Sequence, residues 1–207
     1  MNFLLRGLVY FWEQQDKKVP LKIDVIMPLS YGTNPHGLAE STKEGLMLAI
    51  REWHKRTTAL IAIDYAEWVF RGAGKIEKSF KEEILKREGV PMKSILDVGT
   101  TVNTVTEAFA LREATEAEGI KPGRILLVTT KMHSRGAKLI YKLVFPAAEI
   151  FVATIGYEFE IQRDHPVLIQ RNAWAWFLAN VVRQILLRAF GLKIAKLHQV
   201  AAKVDPQ

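Results

Sequence analysis

Residues 94–137 read SILDVGTTVNTVTEAFALREATEAEGIKPGRILLVTTKMHSRGA. Two apolar runs within this stretch, 94–98 and 124–128, are too short for helices and rich in β-branched residues, so each is expected to be a buried strand. The segment between them has helical spacing, opens at Thr104-Val-Thr-Glu107 with the pattern of a capping box, and closes at Gly119 and Pro122. A strand, a helix and a second strand joined by short loops form a right-handed crossover, which lays the two strands parallel in one sheet. Ligands of such sheets sit beyond the carboxyl ends of the strands. Here those ends are the loops 99–103 and 129–135, which hold the densest polar cluster in the chain.

The same alternation continues on both sides. Upstream, 22–29 and 58–65 read as strands, with a helix between them running from a capping box at Ser41-Thr-Lys-Glu44 to about Arg56. A further helix, 77–88, ends at Gly89 before Pro91, after a flexible basic turn at Arg71-Gly-Ala-Gly. Downstream, 134–144 is a helix and 148–155 a fifth strand, after which 166–192 is helical with an apolar stripe that Arg171, Arg183 and Arg188 interrupt. The expected fold is therefore α/β: a Rossmann-like three-layer sandwich with a mostly parallel sheet of about five strands and a long C-terminal helix. One domain is expected over 1–207, with its core at about 22–160 and terminal helices at 3–15 and 166–203.

Composition limits the chemistry. A chain of 207 residues, 49% hydrophobic and 25% charged, can bury a full core. With no cysteine, disulfides, thiolate metal sites and a cysteine nucleophile are excluded. The net charge of +7 favours anionic partners but does not choose among phosphorylated metabolites, lipid head groups and nucleic acid. Lysines are interleaved with glutamates on helices, as in Lys81-Glu-Glu-Ile-Leu-Lys-Arg-Glu, so nucleic-acid binding is not expected. The first twelve residues are apolar, but Arg6 interrupts them and charged residues follow, whereas a spanning helix needs about 20 apolar residues. The expectation is a cytoplasmic chain whose terminal amphipathic helices offer a peripheral membrane contact.

Thr100, Thr101, Asn103 and Thr104 precede a helix whose first N–H groups carry positive partial charge, a place for a phosphate or carboxylate. Helix capping alone is the competing explanation for the same residues, and for Glu107. His133, between Lys131 and Arg135, lies past a strand end where an imidazole transfers protons near neutral pH and a guanidinium clamps an anion. Asp64 and Asp97 end neighbouring strands, but no metal motif accompanies them and turn or cap roles are the simpler expectation. The loop Gly32-Thr-Asn-Pro-His-Gly37 is neither a dinucleotide fingerprint nor a phosphate-binding P-loop, and no G-x-S-x-G elbow is present.

Glu77, Gly89-Val-Pro91, Ile95, Thr101, Asn103-Thr104, Ala108 and Leu126-Leu-Val-Thr-Thr130 with His133 together resemble the YdcF-like and SanA-like family. The resemblance covers about residues 23–159. The chain departs from the family pattern at Thr106-Glu107, where a Glu-Asn pair stands, at Gly136, where an Arg stands, near Gly45, and at Ser30-Tyr31-Gly32, where a Gly-Gly follows the first strand. What the resemblance implies is a Rossmann-like domain with a ligand pocket, associated in some members with S-adenosylmethionine and in others with the cell envelope. Site residues are then expected at His133 and Arg135 for chemistry, and at Gly32, Asp64, Glu77, Thr100, Thr101, Asn103, Thr104, Glu107, Thr129 and Thr130 for an anionic or nucleotide-like ligand. The other expectation is a non-catalytic protein that acts at a membrane surface through its terminal helices.

Overall fold

The computed structural model describes residues 3–34, 37–66, 73–159, 161, 165 and 168–191. Pro35 and His36 of the first loop, Arg71 and Gly72 of the basic turn, and everything expected to be helical beyond 191, His198 included, lie outside the described residues.

Five strands form one parallel sheet: β1 (Val25–Pro28), β4 (Leu60–Ala66), β5 (Ile95–Thr101), β6 (Arg124–Thr129) and β7 (Glu149–Thr154), in spatial order β5-β4-β1-β6-β7. The two-residue strands β2 (Thr33–Asn34) and β3 (Gly37–Leu38) make a separate hairpin pair that the sequence does not announce. Successive crossovers run outward from β1 in one direction and then, after β5, return to its other side. The order therefore reverses between β1 and β6, and the crevice beyond their carboxyl ends is the switch point of a doubly wound sheet.

Period-two alternation splits the core between the two faces. Ile26, Ile61, Ile63, Leu126 and Val128 pack with Leu46, Ile50 and Trp53 of α2 (Glu40–His54) and Leu85 of α3 (Ala73–Arg87). Val25, Met27, Ala62, Ile125 and Leu127 pack on the other face against α4 (Thr104–Ala117) and α5 (Ser134–Val144). Outside α5 lie α1 (Phe3–Trp12) and α6 (Ala173–Phe190), which meet edge to face through Trp12 and Phe177 at 5.7 Å. The chain after α1 straps the edge strand: Asp16 exchanges hydrogen bonds with Val152, its N–H donating to the carbonyl at 3.0 Å and its carboxylate accepting at 2.8 Å. That arrangement covers an edge that would otherwise invite pairing with another chain.

Two local expectations are corrected. Ser41 and Thr42 lie inside α2, which begins at Glu40 without a side-chain cap; their hydroxyls instead bond His165 Nε2 at 2.9 Å and the Gly32 carbonyl at 3.1 Å. In the strand–helix–strand unit, 99–101 belong to β5 rather than to a loop. Gly99, at φ +86°, stands at a register shift where Asp97 pairs with Ile63 but Gly99 with Asp64, so β5 carries one extra residue. A bulge of this kind turns the strand by one side chain, which leaves Thr100 exposed and brings Thr101 onto the face that carries Asp64.

Candidate functional site

The carboxyl ends of the strands open into a cavity of about 710 Å³, roofed by α6. Its floor and near wall come from Ser30 and Tyr31 after β1, Thr101 at the end of β5, and Asn103, Thr104 and Glu107 at the start of α4. Trp176, Val182 and Leu186 of α6 make the apolar side, and His133 and Arg183 close the polar one.

Asn103 is the N-cap of α4. Its side-chain oxygen accepts from the N–H groups of Val105 at 2.9 Å and Thr106 at 3.1 Å, and the Thr106 hydroxyl accepts from the Asn103 N–H at 3.0 Å, which completes a capping box. The box expected at Thr104 and Glu107 is thus displaced by one residue. The consequence is chemical. With Thr106 as the inner partner, Thr104 is released to bond His133 and Glu107 to turn inward. The helix start is also largely satisfied by its own cap, so it is a weaker anion holder than its sequence suggests.

His133 is 2% exposed and both ring nitrogens are engaged, Nε2 with the Thr104 hydroxyl and Nδ1 with Asn180 Oδ1, each at 2.9 Å. Asn180 Nδ2 donates to the Trp176 carbonyl, which leaves its oxygen facing the ring and assigns the hydrogen to Nδ1. Nε2 then accepts from Thr104. Burial, with Arg183 Nη1 only 3.4 Å from Nδ1, drives the imidazole down to about 3 against the help of Asn180. Trp176 stacks on the ring at 5.7 Å. The residue is a neutral, fixed part of the wall.

Behind the wall lies a buried charged cluster. On α3, Glu77 and Lys81 share the inward face with Leu85 and reach over the end of β4. Lys81 Nζ lies 2.8 Å from Glu77 Oε1, donates to the Asp64 carbonyl at 2.6 Å, and stands 3.7 Å from Asp64 Oδ1. Glu77 also accepts from the Ser30 hydroxyl and, at 2.8 Å, from the Ala66 N–H. Asp64 accepts from Thr101 Oγ1 at 2.7 Å, and Glu107 from the Ser30 N–H at 3.2 Å. Burial works against the Lys81 charge, but Glu77 and Asp64 hold its ammonium above the ordinary lysine value.

The remaining expected residues divide. Thr129 and Thr130 are buried and hold the Tyr31 hydroxyl, at 2.7 Å and 3.3 Å between side-chain oxygens, so they support the site through Tyr31. Gly32, at φ +84°, makes the turn after Tyr31, and Thr100 faces solvent. Arg135 points the other way: its Nε donates to the Trp12 carbonyl at 2.8 Å, closing the end of α1, and its guanidinium lies over the Trp12 ring. Lys131 pairs with Glu13 at 2.8 Å. The strap after α1 draws both cations away from the crevice, because the carbonyls and carboxylate there offer them partners. Among the described residues no group of three or more His, Asp or Glu is placed to hold a metal ion.

The cation among the residues that line the cavity is Arg183, which in the sequence interrupts the apolar stripe of the C-terminal helix. An arginine set among apolar neighbours on a helix is the signal that was available. It is partly buried, and no carboxylate among the described residues lies within ion-pairing distance of it. Burial lowers its basicity, while Tyr31 and Glu107 oppose that effect. No family model, curated protein or solved structure matches this chain.

Proposed function

We propose that this chain binds a small molecule with an apolar body and one anionic group in the cavity at the switch point of the sheet. Arg183 receives the phosphate or carboxylate, and Trp176, Val182 and Leu186 cover the apolar part. The observation that carries this reading is Arg183 itself, a forked donor on the wall of a mostly apolar cavity without a carboxylate partner among the described residues. The resemblance to the YdcF-like and SanA-like family adds nucleotide-like ligands and S-adenosylmethionine to the candidates. Thermal-shift and native mass measurements should therefore span inorganic phosphate, nucleotides, sugar phosphates, medium-chain carboxylates and S-adenosylmethionine. A ligand at 100 times its Kd stabilises by about 2.7 kcal/mol, which raises Tm by about 5 °C or more in a chain of this size. At least one anion with an apolar body should do so in the wild type and fail in Arg183→Gln. A panel without any such shift overturns the proposal.

A second reading is favoured by a different observation. The outer faces of α1 and α6 expose Leu4, Leu8, Tyr10 and Phe11, and Leu178, Ile185 and Phe190, without a single Asp or Glu in either helix. Such a face suits an anionic membrane surface, where apolar side chains enter and arginines meet head groups. Among the described residues no helix is long and apolar enough to cross a membrane.

A further inference from the structure

Glu107 lines the cavity from the first turn of α4, yet it is only 3% exposed. Its Oε1 takes the Ser30 N–H, but Oε2 meets no N–H or hydroxyl donor among the described residues. Asp64 is in the same condition: Oδ2 is satisfied by Thr101, whereas Oδ1 lacks a donor and has Lys81 only at 3.7 Å. The two carboxyl groups bound one buried cluster: Ser30 gives its N–H to Glu107 and its hydroxyl to Glu77, and Glu77 holds Lys81 beside Asp64. Two carboxylates in one dry cluster resist ionising together until a base takes the proton, and one proton shared by the pair gives both orphan oxygens a partner.

The surrounding groups decide where that proton resides. Lys81 from α3 is matched by Glu77 and lies beside Asp64, so Asp64 is the member that has a cation at hand. Tyr141 from α5 contributes a buried hydroxyl without a partner among the described residues, and Arg183 from α6 acts on Glu107 across the cavity. Burial and then the Asp64 charge raise Glu107 well above the ordinary carboxylate range, against the Ser30 N–H and Lys81.

We propose that Glu107 and Asp64 share one proton at neutral pH, and that Glu107, on the cavity side, hands it to a bound ligand and takes it back. The ligand class is an anion held by Arg183 that also presents a basic oxygen or nitrogen to Glu107. In the step, the Glu107 O–H bond breaks, the proton bonds to the ligand atom, and the negative charge remains on the two carboxylates beside Lys81. Nothing is oxidised or reduced, and the reverse transfer or a water proton restores the pair. The proposal rests on the cavity being a ligand site, but it requires no particular anion there.

Ethyl diazoacetate tests it on the free protein. The diazo carbon takes the proton of a carboxylic acid, the carboxylate oxygen then bonds to that carbon as the C–N bond breaks, and N₂ leaves, so an ester marks a protonated carboxyl. At pH 7, peptide mapping should place the ester on Glu107 at least about tenfold above any other Asp or Glu, since exposed carboxylates are ionised there. Glu107→Gln, whose amide still donates to Asp64, should fold and lose the mark; Asp64→Asn should weaken it severalfold. Carbon NMR of a glutamate-labelled sample gives the same answer without reagent access: the resonance missing from Glu107→Gln should titrate well above those of the exposed glutamates, as burial beside Asp64 requires. A midpoint near about 4.3, the free-glutamate value, overturns the proposal. So does an ester on Asp64 in place of Glu107. A blank anion panel beside an esterified Glu107 removes the Arg183 reading and keeps the proton pair; a binding anion beside an ordinary Glu107 does the reverse.

Discussion

His133 is held neutral by what the fold packs around it, and that has a consequence for stability. In the unfolded chain its imidazole takes a proton near 6.5, whereas in the fold burial and Arg183 depress that value to about 3. The unfolded state therefore binds more protons between those two values, so the contribution of a neutral His133 is complete above pH 6.5 and is lost as pH falls toward 3. Glu107 has the opposite sign: its raised value makes its contribution complete at low pH and lost as pH rises through the folded value. Urea unfolding at pH 7.5 and 4.5, compared between the wild type and His133→Gln, isolates the imidazole. The wild type should lose about 2 kcal/mol more than the variant on acidification, and equal losses would show that the ring is not held neutral. At this scale the sequence shows that His133 follows a strand end, but not that Thr104 and Asn180 saturate it. Those partners come from α4 and α6, 29 and 47 residues away. Arg135 and Lys131 were misleading for the same reason, since the carbonyls and carboxylate that claim them belong to α1 and the strap after it.

Among the elements, α4 shows how one residue of register sets the chemistry of the site. A cap at Asn103 points Glu107 toward Ser30 and Asp64, whereas a cap at Thr104 would leave Glu107 at the inner capping position, turned back to the helix start. Asn103→Ala should cost about 1 kcal/mol and speed amide exchange at Val105 and Thr106, whose N–H groups its side-chain oxygen receives. Thr104→Ala should leave those two amides protected, and faster exchange there would place the cap at Thr104 instead. The strands and helices of the sandwich were legible because each is an apolar run or a 3.6-residue pattern bounded by Gly, Pro or a cap. The helix at 134–144 needs no correction at either end. What stayed hidden is what periodicity does not encode. The bulge at Gly99 adds one residue inside a run, and β2 and β3 are two residues each, too short to alternate.

Across the whole molecule the net charge of +7 is divided unevenly. The helices on one face of the sheet carry mixed pairs such as Lys55 with Glu52 and Lys78 with Glu82, whose fields largely cancel. By contrast α1 and α6 carry only Arg6, Arg183 and Arg188 as ionised residues, and each keeps an exposed apolar face beside its buried one: Leu5 and Val9 of α1 and Trp176, Phe177 and Leu187 of α6 go inward, while Tyr10 and Phe11 are 74% and 80% exposed. The edge-to-face contact of Trp12 with Phe177 joins the two helices, so their apolar residues lie on adjoining elements. Burying an aromatic side chain of this kind contributes about 1.5–3 kcal/mol, and each basic residue near an anionic lipid surface adds about 1 kcal/mol. Together these terms favour reversible attachment that weakens as salt screens the arginines. In flotation with vesicles containing anionic lipid, the wild type should rise with the lipid at low salt and rise less at high salt. The double substitution Tyr10→Ser with Phe11→Ser should reduce the floated fraction about tenfold, because the lost apolar transfer exceeds 1.4 kcal/mol. Light scattering after size exclusion separates the competing outcome, a dimer that buries the same face against a second copy. A monomer that stays in the soluble fraction at low salt would retire the membrane reading and leave the cavity beside Arg183 and Glu107 as the functional surface of the chain.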